Sequence, residues 1–135
     1  MHRHIAAFAV ILTAGLAGCS QTHLSTQEVA QACQQIQNQL DTADSDFVAH
    51  VREIRNEHIL LIDYDRKMIG ALTGYRNKVR AILDEQENGR GSIHCIGDQL
   101  TEVEHNESPR LRRVGSYLID FERALKQDPP NAYVE

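Results

Sequence analysis

Acidic residues and histidines at helical spacing are the side chains of this sequence best suited to bind a metal ion. Glu102 and His105 form a Glu-x-x-His motif, and di-iron carboxylate bundles use that spacing together with a second copy and further inward-facing glutamates. The sequence contains no second copy of the motif. Asp63 and Asp65 lie two residues apart, so they would not face each other on a helix. These spacings predict solvated side chains and no metal cofactor.

Cysteine and histidine side chains offer a second possible chemistry, a zinc site. His94 and Cys95, together with Cys33 and His105, are the ligand types that zinc prefers. Adjacent ligands are poor geometry for a closed tetrahedron, so zinc is the weaker interpretation of these residues. No pair of nucleophile and base stands out, and no glycine-rich phosphate loop does. Catalytic groups can be assembled from distant residues, but the sequence favours a protein that is not an enzyme.

The N-terminal residues form a short cationic and apolar leader. Met1–His4 carries its fixed positive charge on Arg3, and Ile5–Leu16 is apolar or small apart from Thr13. A membrane-spanning helix needs about 20 apolar residues, so this shorter stretch fits the apolar region of a signal peptide. The alternative is a buried N-terminal helix.

The leader closes on Leu16-Ala17-Gly18-Cys19, which resembles the lipobox of bacterial lipoprotein precursors. The resemblance implies that a peptidase recognises Leu16, Ala17 and Gly18 and cuts before Cys19. It also implies a diacylglycerol on the Cys19 sulfur and often an acyl chain on the new amino group, which together give stable anchoring. The mature domain is then expected outside the cytoplasm, held at the cell membrane or outer membrane. Ser20 resembles the outer-membrane sorting pattern of Gram-negative relatives.

With Cys19 assigned to lipid, Cys33 and Cys95 remain as an even pair in an oxidising compartment. A disulfide between them would close a long loop and contribute about 4 kcal/mol in the chain-entropy model. Two buried thiols, which pack as small hydrophobes, are one alternative. Pairing between two chains is another.

Composition argues against several classes of partner. The formal net charge is −5, whereas a nucleic-acid-binding domain needs a basic face. The same charge argues against the domain lying flat on anionic lipid, so lipid chains are expected to hold it at the bilayer. Tryptophan is absent and aromatic residues make up 5% of the chain, so a large aromatic-walled pocket is not expected.

We predict an all-α antiparallel bundle of four to five helices over residues 25–128. Residues 1–18 are the predicted signal peptide, 19–24 a lipidated tether and 129–135 a C-terminal tail. Ser25 and Glu28 match a capping box, and apolar residues at helical spacing follow.

The first helix is predicted over residues 26–40, with a break in the acidic stretch that follows. The next apolar rhythm predicts either one helix over 45–87 or two helices joined near residues 70–74. A first helix of about 22 Å running beside a straight rod of about 64 Å would leave Cys95 far from Cys33. Because disulfide Cα atoms lie within about 7 Å, the disulfide favours the break.

Two further helices are predicted near the C-terminus. A turn at residues 88–92 precedes a helix over 93–105. After a short loop, Ser108 and Pro109 read as the N-cap and first residue of a fifth helix, which ends before Pro129.

Two polar residues, His58 and Asp65, interrupt the apolar rhythm. On one helix they would lie about 10.5 Å apart along the axis, too far to touch. They predict a polar layer that fixes register or side chains that reach water. The functional alternative is a pH-sensitive or ligand-contacting polar core.

The predicted function is a membrane-anchored envelope lipoprotein that acts by contact with an unidentified envelope protein, of assembly, secretion-accessory or exclusion type. Ile59 and Leu60 lie farthest round a widened apolar face and are the candidate partner-binding residues, unless other helices cover them. A carrier of a small apolar ligand and a cell-wall enzyme are the alternatives. A dry apolar cavity would favour the carrier, and a solid core would favour the partner binder.

Overall fold

The computed structural model describes residues 25–89 and 94–135. In these ranges the chain is all-helical, without strands, and its helices are α1 (Thr26–Arg55), α2 (Leu61–Glu87) and α3 (Gly97–Gln127). Each helix packs against the other two. None of the described helices combines the length and apolar character needed to cross a membrane. The all-α prediction is confirmed, whereas the predicted count of four to five helices is wrong.

The first helix begins at the predicted capping box. The Glu28 N–H donates to the Ser25 hydroxyl at 3.2 Å, and the Ser25 N–H donates to the Glu28 carboxylate at 2.8 Å. These two bonds satisfy backbone donors that have no partner within the helix, which fixes its start.

The predicted break after residue 40 is wrong, because α1 continues to Arg55. Leu40 and Ala43 are both buried, and Phe47 packs against the same core, so the apolar face continues through the acidic stretch. Asp41, Thr42, Ser45 and Asp46 in this stretch are exposed, and helix formation does not depend on their packing.

The chain reverses at residues 56–60, which we call the α1–α2 turn, and the predicted break near residues 70–74 is wrong. Asn56 and Glu57 donate their backbone N–H groups to the last carbonyls of α1. Gly70 and Gly74 lie inside α2, neither with a positive φ. The turn contains neither glycine nor proline, so the usual signals of a chain reversal are missing from it.

A long α2 is compatible with the disulfide because α1 is also long. The two helices have 30 and 27 residues, or about 45 and about 40 Å. Tyr75 of α2 stacks on Phe47 of α1 with ring centroids 4.8 Å apart, and Tyr64 of α2 meets Phe121 of α3 at 5.9 Å. Helix α2 therefore runs antiparallel to both neighbours and returns the chain to the start of α1.

Helix α3 is continuous through Pro109, so the predicted loop and separate fifth helix are wrong. Val103, Glu107 and Val114 are buried on one face on both sides of the proline, and this shared face holds the two halves in line. The helix starts at Gly97, whose φ of 64° lies in the left-handed region that favours glycine.

Candidate functional site

The predicted Cys33–Cys95 disulfide is confirmed, with an S–S distance of 2.03 Å and Cα atoms 4.5 Å apart. The backbone N–H of Cys95 donates to the buried side chain of Gln86 at 2.9 Å. Together these contacts join the start of α1, the end of α2 and the approach to α3. We call this the disulfide end of the bundle.

A partly buried ion pair lies on the face of α3 that packs on α1. Glu107 is 1% exposed, and its carboxylate accepts a hydrogen bond from Arg110 at 3.2 Å. Arg110 also lies 3.8 Å from Asp41 of α1. Burial raises the pKa of Glu107, although the Arg110 charge and a hydrogen bond from Gln37 oppose the shift. The sequence analysis missed this pair, and its signal was a glutamate within the apolar rhythm of α3.

Tyr75 extends the polar cluster across α2. Its hydroxyl donates to Asp44 at 3.5 Å. Burial, with the nearby charges of Asp44 and Glu107, raises the pKa of Tyr75 to about 12. The phenol therefore stays protonated at neutral pH. Glu107 and Tyr75 are buried, Asp41 and Arg110 reach solvent, and the contacts of the cluster join all three helices. The cluster therefore suits a role in fixing their register more than one in binding a ligand.

The structure separates the two polar residues that interrupt the apolar rhythm. His58 lies in the α1–α2 turn and is exposed. Asp65 is 2% exposed on α2. Burial raises the pKa of Asp65 to about 7, and a hydrogen bond and charge from Asp128 add to the shift. The interrupted apolar rhythm singled out Asp65 but left open whether its side chain is buried or reaches water, and the prediction of solvated side chains at Asp63 and Asp65 is wrong for Asp65. No sequence pattern pointed to Asp128, which reaches Asp65 from the end of α3.

The residues after α3 fold back on the α1–α2 turn, and we call residues 129–135 the C-terminal strap. The Leu61 N–H donates to the Ala132 carbonyl at 2.8 Å, and the Val134 N–H donates to the Ile59 carbonyl at 3.1 Å. Ile59 and Leu60, the predicted partner-binding residues, are half-buried beneath this contact.

An apolar cavity of about 230 Å³ lies between the three helices near the α1–α2 turn. Its lining comprises Phe47, Val51, Arg55, Met68, Leu72, Tyr117 and Phe121. Tyr117 at its edge is 53% exposed. The volume is below the range of about 300–1,000 Å³ typical of ligand pockets. The aromatic lining comes from α1 and α3 and was not foreseen from the low aromatic content.

A larger and more polar groove of about 680 Å³ lies between α2 and α3, with Arg80, Glu87, Glu104 and Arg112 among its lining residues. Burial and the adjacent Glu87 raise the pKa of Glu104. Within residues 25–89 and 94–135, no group of three or more histidine, cysteine or acidic side chains is placed to hold a metal ion.

The predicted lipidation site lies outside the described residues. This applies to Leu16, Ala17, Gly18 and Cys19 and to the tether that follows. Comparison with the models of known protein families, with curated proteins and with solved structures found no match. Function is therefore inferred from the residues and geometry of this chain.

Proposed function

We propose that this chain is an envelope lipoprotein, anchored through lipid on Cys19, that acts by contact with another envelope protein. The observation that supports it most is the Cys33–Cys95 disulfide. Disulfides persist in oxidising compartments outside the cytoplasm. Because the chain has three cysteines, this bond leaves Cys19 as the remaining thiol, at the position that resembles a lipobox.

The lengths of the tether and of α1 indicate which end of the bundle would lie near the membrane. Residues 20–24 span at most about 18 Å, so the start of α1 would lie close to the lipid headgroups. The disulfide is near that start, at Cys33, whereas α1 extends 30 residues to the turn, about 45 Å. The α1–α2 turn, the cavity and the C-terminal strap would then project from the membrane.

The proposed contact surface for the partner is the edge of the apolar cavity. Tyr117 is half-exposed there, beside the partly buried apolar side chains of Phe47 and Phe121. Tyrosine and phenylalanine are enriched at protein interfaces because they bury a large area with few rotatable bonds. Charged side chains are sparse in the cavity lining, where Arg55 is the one present.

Anchoring is tested by Cys19→Ala in a bacterial host. The variant should accumulate as an uncleaved precursor without lipid, heavier than the mature protein backbone by the leader. Ser20→Ala, which changes the neighbouring side chain, is the matched control and should be processed normally. A Cys19→Ala protein of mature mass in the membrane fraction would show that the lipoprotein proposal is wrong.

Partner contact is tested by placing a photo-crosslinking side chain at Tyr117 in the native envelope. We expect a discrete crosslinked product, identified by mass spectrometry. Gln34, exposed on α1 near the disulfide end, is the control position and should not give that product. Identical products from both positions, or none from Tyr117, would contradict the proposed surface.

The cavity itself favours a second candidate function, a carrier of a small apolar ligand. Dry apolar cavities of comparable size, about 150 Å³, bind benzene. If this protein is a carrier, benzene should bind with measurable heat, and Val51→Phe should abolish binding by filling the cavity without lowering helix content. Wild-type protein that does not bind benzene would exclude the carrier and leave the partner-binding proposal standing.

A further inference from the structure

The C-terminal strap pairs with the α1–α2 turn as a short antiparallel backbone contact. Leu60 lies opposite Tyr133, and one hydrogen bond on each side of this pair closes the contact at 2.8 and 3.1 Å. Addition of an extended segment to exposed backbone groups is a common mode of peptide recognition. The turn therefore presents the groups that an extended peptide needs, and residues 132–134 of the same chain occupy them.

A ring stack adds specificity to this contact. The Tyr133 ring lies on the His58 ring, with centroids 5.1 Å apart and an interplanar angle of 10°. Tyr133 is nevertheless 56% exposed, so the strap is attached to the surface and is not part of the core. An occupant of this site would be extended and would carry an aromatic residue opposite His58.

A pair of carboxyl groups lies where the strap leaves α3. Asp128 is the residue at which α3 ends, and its carboxyl hydrogen-bonds to Asp65, which is buried on α2. Two carboxylates in contact cannot both ionise without strong repulsion, so the closed arrangement holds a shared proton. Loss of that proton would make the two carboxylates repel each other and would move Asp128, with the start of the strap, away from α2.

The other charged and titratable side chains near Asp65 and Asp128 have contacts of their own. Three ion pairs join Glu57 with Lys67, Asp63 with Arg66, and Asp120 with Arg123. Arg55 of α1 lines the cavity, and His58 stacks on Tyr133. Asp128 is the charged group that acts on Asp65. The carboxyl pair therefore lacks a cation to offset a second negative charge among the described residues.

We propose that the α1–α2 turn is a docking site for an extended peptide, that the C-terminal strap fills it in the closed state, and that ionisation of the Asp65–Asp128 pair opens it. The pKa of Asp65, raised to about 7 mainly by burial, sets opening in the neutral to mildly alkaline range. The site would then expose Ile59, Leu60 and two backbone partners. This inference concerns the folded domain and holds whether or not Cys19 carries lipid.

The test is binding of a fluorescent peptide with the strap sequence, residues 129–135, to the intact protein. Binding measured by anisotropy should be at least about tenfold stronger near pH 8.5 than near pH 5.5, because each pH unit below the transition lowers the ionised fraction about tenfold. The same peptide with alanine in place of tyrosine should not bind. Equal binding at both pH values would overturn the proposed gate.

Two variants and one control distinguish the role of the Asp65–Asp128 pair in opening from the ability of the α1–α2 turn to bind a peptide. Asp65→Asn keeps the side-chain shape without the charge, so the strap should stay closed and alkaline peptide binding should fall about tenfold or more. Asp63→Asn, a neighbouring acid on the surface, should behave like the wild type. Tyr133→Ala loosens the strap and should bind peptide at both pH values. Failure of Tyr133→Ala to bind would overturn the docking site.

A second copy of the chain is the competing occupant. If straps exchange between molecules, alkaline pH should produce a concentration-dependent dimer, measured by sedimentation, that Asp65→Asn blocks. That dimer, in place of peptide binding by a monomer, would overturn the proposed peptide partner.

Discussion

At the scale of single residues, the buried acids show how burial and charge pairing compete. The Glu107–Arg110 contact at 3.2 Å gains about 5 kcal/mol for a pair of partly solvated charges. Removing a carboxylate from water costs several kcal/mol. The pKa of Glu107 is raised, so burial outweighs the guanidinium, and folding makes the charged form of Glu107 less favourable than it is in water.

Glu107→Gln therefore should become more stable relative to the wild type as pH rises. A group whose pKa is raised by folding contributes its stability below the unfolded pKa and loses that contribution as pH rises through the folded value. Glutamine keeps the shape and removes this loss. The check is urea denaturation at several pH values, with Glu102→Gln on the exposed surface as control. A growing disadvantage of Glu107→Gln at higher pH would mean that the Arg110 pair dominates.

At the scale of elements, α3 is the informative case, because it runs through Pro109 without ending. Proline in a helix interior lacks an N–H donor and costs about 3 kcal/mol relative to alanine. Pro109 is exposed, so its replacement creates no cavity. The helix is held together by the buried residues on each side of it.

Pro109→Ala is predicted to stabilise the protein by about 1–3 kcal/mol, because it restores a backbone donor in a continuous helix. Ser108→Ala is the companion variant. In a continuous helix it should change the unfolding free energy little, whereas loss of an N-cap would cost about 1 kcal/mol. Thermal and urea denaturation of both variants distinguish one continuous helix from two separate helices. A destabilised Ser108→Ala together with an unimproved Pro109→Ala would indicate two separate helices.

The helices and turns also show which features of the fold could be predicted from the sequence. The capping box at Ser25 and the helical character were predicted because their signals are local. The turn at residues 56–60 was not, since it lacks glycine and proline and the apolar rhythm runs through it. The cysteine count predicted the disulfide. The contact of Asp65 with Asp128 joins distant parts of the chain, and no local pattern marks it.

At the scale of the whole molecule, the two ends of the bundle are held differently. One end has the Cys33–Cys95 bond and the larger core around it. The end at the α1–α2 turn has a smaller core of Val51, Ile54, Met68 and Ala71 and the lightly attached strap. We expect local opening to begin at the turn end, where fewer buried contacts resist it.

Reduction of the disulfide should lower the unfolding free energy by about 4 kcal/mol and the melting temperature by on the order of 15 °C. That is a large share of the roughly 5–15 kcal/mol of a typical domain. Calorimetry with and without reductant measures the effect. The double variant Cys33→Ser and Cys95→Ser should melt at the lower temperature under both conditions. A wild-type melting temperature that does not respond to reductant would contradict the expectation.

The position of the disulfide has a consequence for a chain that has been cut. A protease that nicks the α1–α2 turn would leave Cys33 in the N-terminal piece and Cys95 in the C-terminal piece, with the S–S bond between them. The two pieces would migrate together until a reductant is added. If Cys19 carries lipid, the severed C-terminal piece, with α2 and α3, would stay on the membrane after proteolysis.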